Sequence, residues 1–146
     1  MRELAECQSV AQHLRAQHNR IRRAVSAIEH AFQPAAGDDA AITGNLAVLY
    51  DELSQQLAAE DDGGGLEEAV CRCPRLAEQA TRLSRQHRQL LARLQRIIDG
   101  RRELPPDTGI TRERFRRFSA TLARHQAAES RILATAFGGN FSEDML

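Results

Sequence analysis

Apolar residues recur along most of the chain at alternating intervals of three and four residues. This spacing places them on one face of an α-helix, because the helix completes a turn about every 3.6 residues. The stripes are separated by stretches rich in Gly, Pro and Asp, and such residues end helices. The pattern therefore predicts an all-α protein in which four long helices share one apolar core.

The four stripes cover residues 4–32, 42–60, 76–97 and 115–136. Gly100 is expected to end the third helix, and the fourth is expected to begin near Thr111. Between the second and third stripes, the segment LEEAVCR predicts a short helical connector. Loops of about ten residues favour an up-down-up-down four-helix bundle. We expect this bundle to span residues 1–137 and to be followed by a C-terminal tail, residues 138–146.

Polar residues interrupt every stripe. In the first, third and fourth helices they lie near the middle, and in the second helix they lie toward the end. Mid-helix positions of an antiparallel bundle meet at one level, so these side chains are predicted to converge in a single polar pocket. The residues concerned are His18, Gln56, Glu60, His87, His125 and Glu129.

The predicted pocket has the composition of a metal site. A carboxylate inside a core costs several kcal/mol unless its charge is compensated, and no Arg lies on the stripes. Protonation, water with mutual hydrogen bonds, or a cation remain as explanations. Three imidazoles and two carboxylates suit iron, manganese or zinc, and a carboxylate can span two ions about 3.5 to 4 Å apart. His125 and Glu129 are one helical turn apart, and Gln56 and Glu60 repeat that spacing.

The charge distribution raises the question of a nucleic-acid partner. All 20 basic residues are Arg and the formal net charge is zero. Residues 24–71 contain ten acidic and no basic side chains, whereas residues 72–131 contain fifteen Arg. A basic surface of this kind can bind nucleic acid, but acidic residues are interspersed and no aromatic platform accompanies the Arg. We therefore interpret the pattern as basic helices that flank an acidic one, with no nucleic-acid partner.

The 146 residues are typical of one domain. No apolar run approaches the roughly 20 residues of a membrane span, and the N-terminus lacks the apolar segment of a signal peptide. Three cysteines, Cys7, Cys71 and Cys73, form no secretory framework, so a cytoplasmic location is expected. The Cys71-Arg72-Cys73 motif leaves a redox pair open, but a structural zinc site would need further ligands.

Other catalytic motifs are missing from the sequence. It contains no HExxH, GxGxxG, P-loop or GxSxG pattern, which leaves zinc peptidase, nucleotide-binding and hydrolase functions without support. The Glu-x-x-His pattern of ferritin-like di-iron bundles is also absent.

With its polar residues in these positions, the chain resembles the hemerythrin-like family of four-helix bundles. The resemblance rests on QHNRI, LYDELSQQLAAEDDGGGLEEAV, LSRQHRQLLARL and FSATLARHQAAESRIL, one segment in each helix. It implies two iron ions bridged by Glu60 and Glu129. The further ligands that it implies are His18, His87 and His125. Members of this family bind oxygen reversibly, sense oxygen or iron, handle peroxide or nitric oxide, or store iron, so the expected partner is a small molecule such as dioxygen, peroxide or nitric oxide.

The chain departs from the family pattern in its number of nitrogen ligands. Gln56 stands where the second helix of the family has His, and the third helix carries a single inward His, His87. These departures disfavour stable oxygen carriage and favour oxygen, peroxide, redox or iron sensing. Two other functions remain open: a metal-poor bundle that acts as an interaction module, and a di-iron enzyme of the peroxidase or catalase type.

Overall fold

In a computed structural model, the described part of the chain forms five α-helices and one turn of 3-10 helix. The structure describes residues 2–33, 39–61, 65–103 and 109–138, with side chains from residue 12 onward. Within these ranges there is no strand, so the all-α prediction is confirmed. The helices are α1 (Arg2–Ala31), α2 (Asp39–Asp61), α3 (Gly65–Arg72), α4 (Ala77–Glu103) and α5 (Ile110–Phe137), and Pro74–Leu76 forms the 3-10 turn.

Several helix ends follow directly from local sequence. α2 ends at Asp61, close to Gly63, Gly64 and Gly65, which belong to one of the Gly- and Asp-rich stretches between the stripes. Pro74 opens the 3-10 turn, where its missing N–H costs nothing. Gly109 precedes α5 with a φ of 72°, and glycine adopts this left-handed conformation without steric cost. Gly138 follows α5 and its N–H donates to the Ala134 carbonyl oxygen.

The predicted end of the third helix at Gly100 is wrong, because α4 continues to Glu103. The extra turn is held by Arg101, which donates to the Asp39 carbonyl at 2.7 Å and to Thr43 Oγ1 at 3.1 Å and also pairs with the Asp39 carboxylate. Gly100 itself lies against Arg114, whose Nη1 would be 3.0 Å from an added Cβ. A glycine costs about 1 kcal/mol inside a helix, so these tertiary contacts offset its local preference.

The four long helices form a bundle. α1 packs on α2, α2 on α4, and α4 on α5, while α1 and α5 also touch and form the sparsest contact among these neighbours. The short helix α3 lies mainly against α5. None of the described helices has the length and hydropathy that a bilayer-crossing segment needs.

Two apolar clusters fill the interior, and the predicted polar positions lie between them along the helices. In α4, for example, His87 separates Leu83 of one cluster from Leu90 of the other. We call the larger one the main core cluster: Ile21, Ile28, Ala31, Ile42, Leu46, Leu49, Leu53, Leu57, Leu90, Leu94, Ile97, Phe115, Phe118 and Leu122. The smaller one, the end core cluster, contains Leu14, Leu66, Ala69, Leu76, Ala80, Leu83, Ile132, Leu133 and Phe137.

The predicted stripes agree closely with the observed burial. Every stripe position with a described side chain is buried or half-buried, and the half-buried ones are Val25, Phe32, Glu60 and Ala136. The side chains of residues 4, 7 and 11 lie outside the described part of the chain, as do residues 139–146 of the predicted tail. The predicted connector is confirmed as α3, whose Leu66 and Ala69 are buried.

Candidate metal centre

Four side chains from three helices converge between the two apolar clusters. Glu60 comes from α2, His87 from α4, and His125 and Glu129 from α5. One ligand atom from each residue lies within 4.8 Å of the corresponding atoms of the other three. The side chains are 8% exposed at Glu60, 2% at His87 and His125, and 1% at Glu129. This buried group, which we call the four-residue cluster, can hold a metal ion.

Each imidazole of the cluster lies beside a carboxylate. His87 Nε2 is 3.1 Å from Glu60 Oε2, and His125 Nε2 is 2.7 Å from Glu129 Oε1. The two rings meet edge to face with their centroids 5.1 Å apart. The spacing of one helical turn in α5 explains the second pair, because residues i and i+4 project from the same face.

Partners outside the cluster fix the orientation of both rings. His87 Nδ1 donates to Asp61 Oδ1 at 3.1 Å, and His125 Nδ1 donates to Gln86 Oε1 at 2.8 Å. With the Nδ1 proton committed to an outer acceptor, Nε2 is the nitrogen that faces the interior. Metal-bound histidines commonly have such an outer hydrogen bond, which selects the tautomer and increases the basicity of the ligand.

The other two predicted site residues adjoin the cluster. His18 of α1 is 1% exposed, and the charge of Glu60 influences its pKa, although it is not one of the four residues whose ligand atoms lie within 4.8 Å of one another. Gln56 is 4% exposed, and its Nε2 donates to Glu60 Oε1 at 3.2 Å. The sequence analysis thus placed all six residues in one buried region, and the structure places four of them within direct reach of a single ion.

When each ring has its single proton on Nδ1 and both carboxylates are ionised, all six predicted site residues have a buried polar atom without a hydrogen-bond partner among the described residues. Most buried polar groups in proteins are paired, since an unpaired one costs about 1 to 3 kcal/mol. Metal coordination would satisfy lone pairs of this kind, so the arrangement of these atoms fits a cation. The atoms are His18 Nε2, Gln56 Oε1, Glu60 Oε2, His87 Nε2, His125 Nε2 and Glu129 Oε1.

The two carboxyl groups titrate in opposite directions. Burial together with the neighbouring Glu60 carboxylate raises the pKa of Glu129 well above its ordinary value. Burial also acts to raise the pKa of Glu60, but contacts with His87, Glu129 and Gln56 outweigh it and lower this pKa to about 2. Glu60 therefore ionises first and carries the negative charge of the pair, and Glu129 keeps its proton to a higher pH than an ordinary carboxyl group.

The three imidazoles also differ. Burial lowers the pKa of His18 to about 4, with Arg22 adding to the effect and Glu60 opposing it. Burial and the positive charge of His87 lower the pKa of His125 to about 4. Burial opposes protonation of His87 as well, but Glu60 and Asp61 outweigh it and raise its pKa. His18 and His125 are thus neutral at pH 7 and available as ligands without losing a proton.

The charges of the four-residue cluster limit the number and the charge of the metal ions that it can bind. Two deprotonated carboxylates, Glu60 and Glu129, balance one divalent cation, and a second ion requires additional anionic ligands such as hydroxide or the nearby Asp61 carboxylate. Imidazole nitrogen with carboxylate oxygen is a donor set typical of iron, manganese and zinc sites. The described residues contribute no thiolate to the cluster.

Residues outside the predicted site have other roles. His13 and His30 are exposed, as their positions off the stripes predict. Tyr50 packs against the main core cluster, and Glu52 pairs with Arg20 at 3.6 Å. The sequence analysis missed Asp61 and Gln86 as ring partners, although both directly adjoin a predicted site residue in the sequence.

Comparisons with protein-family models, with curated proteins and with solved structures found no match to this chain. The case for a metal centre therefore rests on the residues and geometry described above.

Proposed function

We propose that this chain is a hemerythrin-like up-down-up-down bundle that binds two iron ions and responds to dioxygen, peroxide or nitric oxide. In this proposal Glu60 and Glu129 bridge the ions, and His18, His87 and His125 supply nitrogen ligands. Its role is that of a metal-binding sensor of oxygen, redox state or iron.

Contacts between helices support the up-down topology. Asp61, at the end of α2, meets His87 in the first half of α4, whereas Thr43, near the start of α2, meets Arg101 in the last turn of α4. This order is that of antiparallel neighbours. α4 and α5 repeat it, with Gln86 beside His125 and Arg93 beside Thr121. At the end of the bundle where Thr43 meets Arg101, Phe32 after α1 also contacts Phe115 in the first turns of α5, with their ring centroids 6.1 Å apart.

The observation that carries the functional proposal is the convergence of the four-residue cluster. Its ligand atoms lie within 4.8 Å of one another, and the main and end core clusters, both apolar, lie on either side of it. Such a group is costly unless something compensates its charge and its lone pairs. Outer hydrogen bonds on both rings favour a metal over a simple network of side chains, because they turn Nε2 of each ring toward the shared space.

The choice of iron and of two ions follows from the donors. Carboxylate oxygen and imidazole nitrogen together suit iron, and a carboxylate can bridge two ions about 3.5 to 4 Å apart. Five protein ligands leave two ions with open positions for exogenous anions and small molecules. Open positions of this kind are a requirement for a site that senses oxygen or peroxide.

The proposal is tested by loading the purified chain with ferrous ion under anaerobic conditions, removing free iron, and measuring the bound metal by mass spectrometry. Two irons per chain, together with near-ultraviolet absorbance after exposure to air, would support it. His125→Ala and Glu129→Gln should lose iron, whereas His30→Ala, which changes an exposed histidine, should retain it. One iron per chain would contradict the bridged pair.

A second function, that of a metal-poor interaction module, is favoured by Gln56. Its amide already donates to Glu60, and burial next to Glu60 raises the pKa of Glu129, which favours the uncharged form of this carboxyl group. These two features partly satisfy the cluster without a metal ion. The absence of bound iron, manganese and zinc after anaerobic loading would select this function over the first.

A further inference from the structure

A cleft between α1 and α5 reaches the buried His18 from the surface. Its volume is about 320 Å³, and it follows the sparsest of the contacts between neighbouring long helices. Apolar side chains line much of it, among them Ile21 and Val25 of α1 and Leu122 of α5, and Arg22 also contributes. The cleft therefore connects the surface with the α1 side of the proposed metal centre.

The cleft contains a buried hydrogen-bond donor that no described residue satisfies. Gln126 lines the cleft and is 9% exposed, and its Nε2 has no hydrogen-bond partner among the described residues. Ser130, also in the cleft, donates to the carbonyl oxygen of Gln126 and not to its side chain. A buried amide N–H₂ group without an acceptor is energetically unfavourable. A small molecule with an acceptor atom would therefore gain a hydrogen bond from Gln126 Nε2 when it enters the cleft.

Among the described residues, further clefts border the α1–α2 and the α4–α5 seams, but the buried residue that each one reaches already has a hydrogen-bond partner. The cleft between α1 and α2, of about 440 Å³, is bordered by the Arg20–Glu52 pair, and Gln56 within it already donates to Glu60. The cleft between α4 and α5, of about 590 Å³, reaches the side of His125 that is bonded to Gln86. Of these three clefts, the α1–α5 cleft combines apolar lining residues with a buried hydrogen-bond donor, Gln126 Nε2, that has no partner among the described residues.

We propose that the α1–α5 cleft is the ligand entrance of the metal centre and that Gln126 Nε2 donates a hydrogen bond to the incoming molecule. The apolar wall selects small, weakly hydrated molecules, and the single donor selects those with an acceptor atom. The ligand class is therefore a diatomic or triatomic hydrogen-bond acceptor of the size of dioxygen or azide. The assignment of the entrance rests on the proposed function, whereas the accessibility of the cleft does not.

The first test needs no metal. In a chain with Cys7, Cys71 and Cys73 replaced by serine, Ser130→Cys places a thiol in the cleft and Ala80→Cys places one in the end core cluster. Both positions are 6% exposed, so they form a matched pair. Methyl methanethiosulfonate, a small uncharged reagent, should modify the thiol at position 130 at least tenfold faster than the one at position 80. Equal rates would overturn the proposal that the cleft admits small molecules.

A blocking substitution makes the first test specific. Ala127→Phe adds bulk to the α1–α5 cleft, and Ala59→Phe adds the same bulk to the α1–α2 cleft. Both alanines are exposed, which limits the cost of either change to the fold. The first change should slow modification at position 130 severalfold, and the second should leave the rate unchanged. If Ala59→Phe slowed modification at position 130 and Ala127→Phe did not, the proposed entrance through the α1–α5 cleft would be wrong.

The second test examines the hydrogen bond and uses azide as the probe on the iron-loaded chain. Loss of one such bond should weaken azide binding about tenfold in Gln126→Leu. The matched control is Gln17→Leu, since Gln17 is 8% exposed and lines the α1–α2 cleft. It should alter azide affinity less than twofold. Equal azide affinity in Gln126→Leu and the parent chain, at equal iron content, would overturn the role of Gln126. Failure of the parent chain to load iron would count against the proposed function. In that case the thiol test, which needs no metal, would still decide whether the cleft admits small molecules.

Discussion

His87 Nδ1 and Asp61 Oδ1 lie 3.1 Å apart, and this contact links the first half of α4 to the last residue of α2. Asp61 also directly follows Glu60, whose carboxylate lies on the other side of the same imidazole at 3.1 Å. Two consecutive residues of α2 thus hold both nitrogens of one ring. The position of His87 in the cluster is set by the end of α2 as much as by its own helix.

Asp61→Asn should weaken metal binding about 10- to 100-fold, the usual effect of removing an outer partner from a histidine ligand. The amide keeps the size of the side chain but removes the charge that raises the pKa of His87. Competition with a chromophoric chelator measures the affinity. Asp51→Asn, an exposed change on the same helix, serves as the control. If both variants lost the same metal affinity, the loss would come from the change in net charge and not from the hydrogen bond to His87.

Gln56→His should strengthen metal binding about tenfold. The change adds an imidazole one helical turn before Glu60, at a position that is already buried and next to the cluster. Imidazole is a better ligand than an amide for iron, zinc and related ions. Gln55→His is the matched control, because Gln55 is exposed. Calorimetric titration with zinc compares the two, and unchanged affinity in Gln56→His would show that position 56 does not reach the ion.

The unfolding free energy of the metal-free protein should depend on pH, because several buried groups have different pKa values in the folded and the unfolded chain. Glu129 and His87 bind protons more tightly in the folded than in the unfolded chain, so their stabilising contribution is present at low pH and is lost as pH rises through their raised pKa values. His18 and His125 behave in the opposite way. Their contribution is present above the ordinary histidine pKa of 6.5 and is lost as pH falls through about 4.

Glu129→Gln isolates one part of this pH dependence. The neutral amide cannot ionise, so the decline in unfolding free energy as pH rises from the ordinary carboxyl pKa of 4.5 toward the raised pKa of Glu129 should become shallower by up to about 1.4 kcal/mol per pH unit, the value for one proton. Urea denaturation at intervals between pH 5 and 9 provides the measurement, with Glu29→Gln, an exposed change on α1, as the control. An unchanged slope in Glu129→Gln would contradict the raised pKa of this carboxyl group.

Metal loading should raise the melting temperature. A ligand present at about 1,000 times its dissociation constant stabilises the folded state by about 4 kcal/mol, which is about 10 °C for a chain of this length. His125→Ala should lose most of this shift, measured against its own metal-free form so that packing defects cancel. His30→Ala should retain the shift, and retention in both variants would remove His125 from the ligand set.

The positions that the sequence predicted best lie on regular helices. His18, His87 and Glu129 were assigned to the interior because the spacing of three and four residues persists on both sides of each. Burial in the structure agrees, since all three are at most 2% exposed. Periodicity identifies which side chains face the interior of the bundle. Because the helices have similar lengths, inward residues near the middle of each helix then lie in one layer.

Features that depend on contacts between helices could not be predicted in the same way. Gly100 is a local signal for a helix end, but Arg101 extends the helix through contacts with Asp39 and Thr43, far away in the sequence. Asp61 and Gln86 lie beside the stripes rather than on them, so periodicity gave no reason to select either. Distances between helices were required to identify them.

The short helix α3 also bears on how far solvent reaches the candidate metal centre. Its Leu66 and Ala69 belong to the end core cluster, with exposures of 4% and 0%, and the helix lies mainly against α5. On α5, Ile132 and Leu133 of the same apolar layer follow soon after Glu129 and Ser130. α3 therefore thickens the dry layer on one side of the four-residue cluster, so the enclosure of that cluster depends in part on a segment that contributes no ligand of its own.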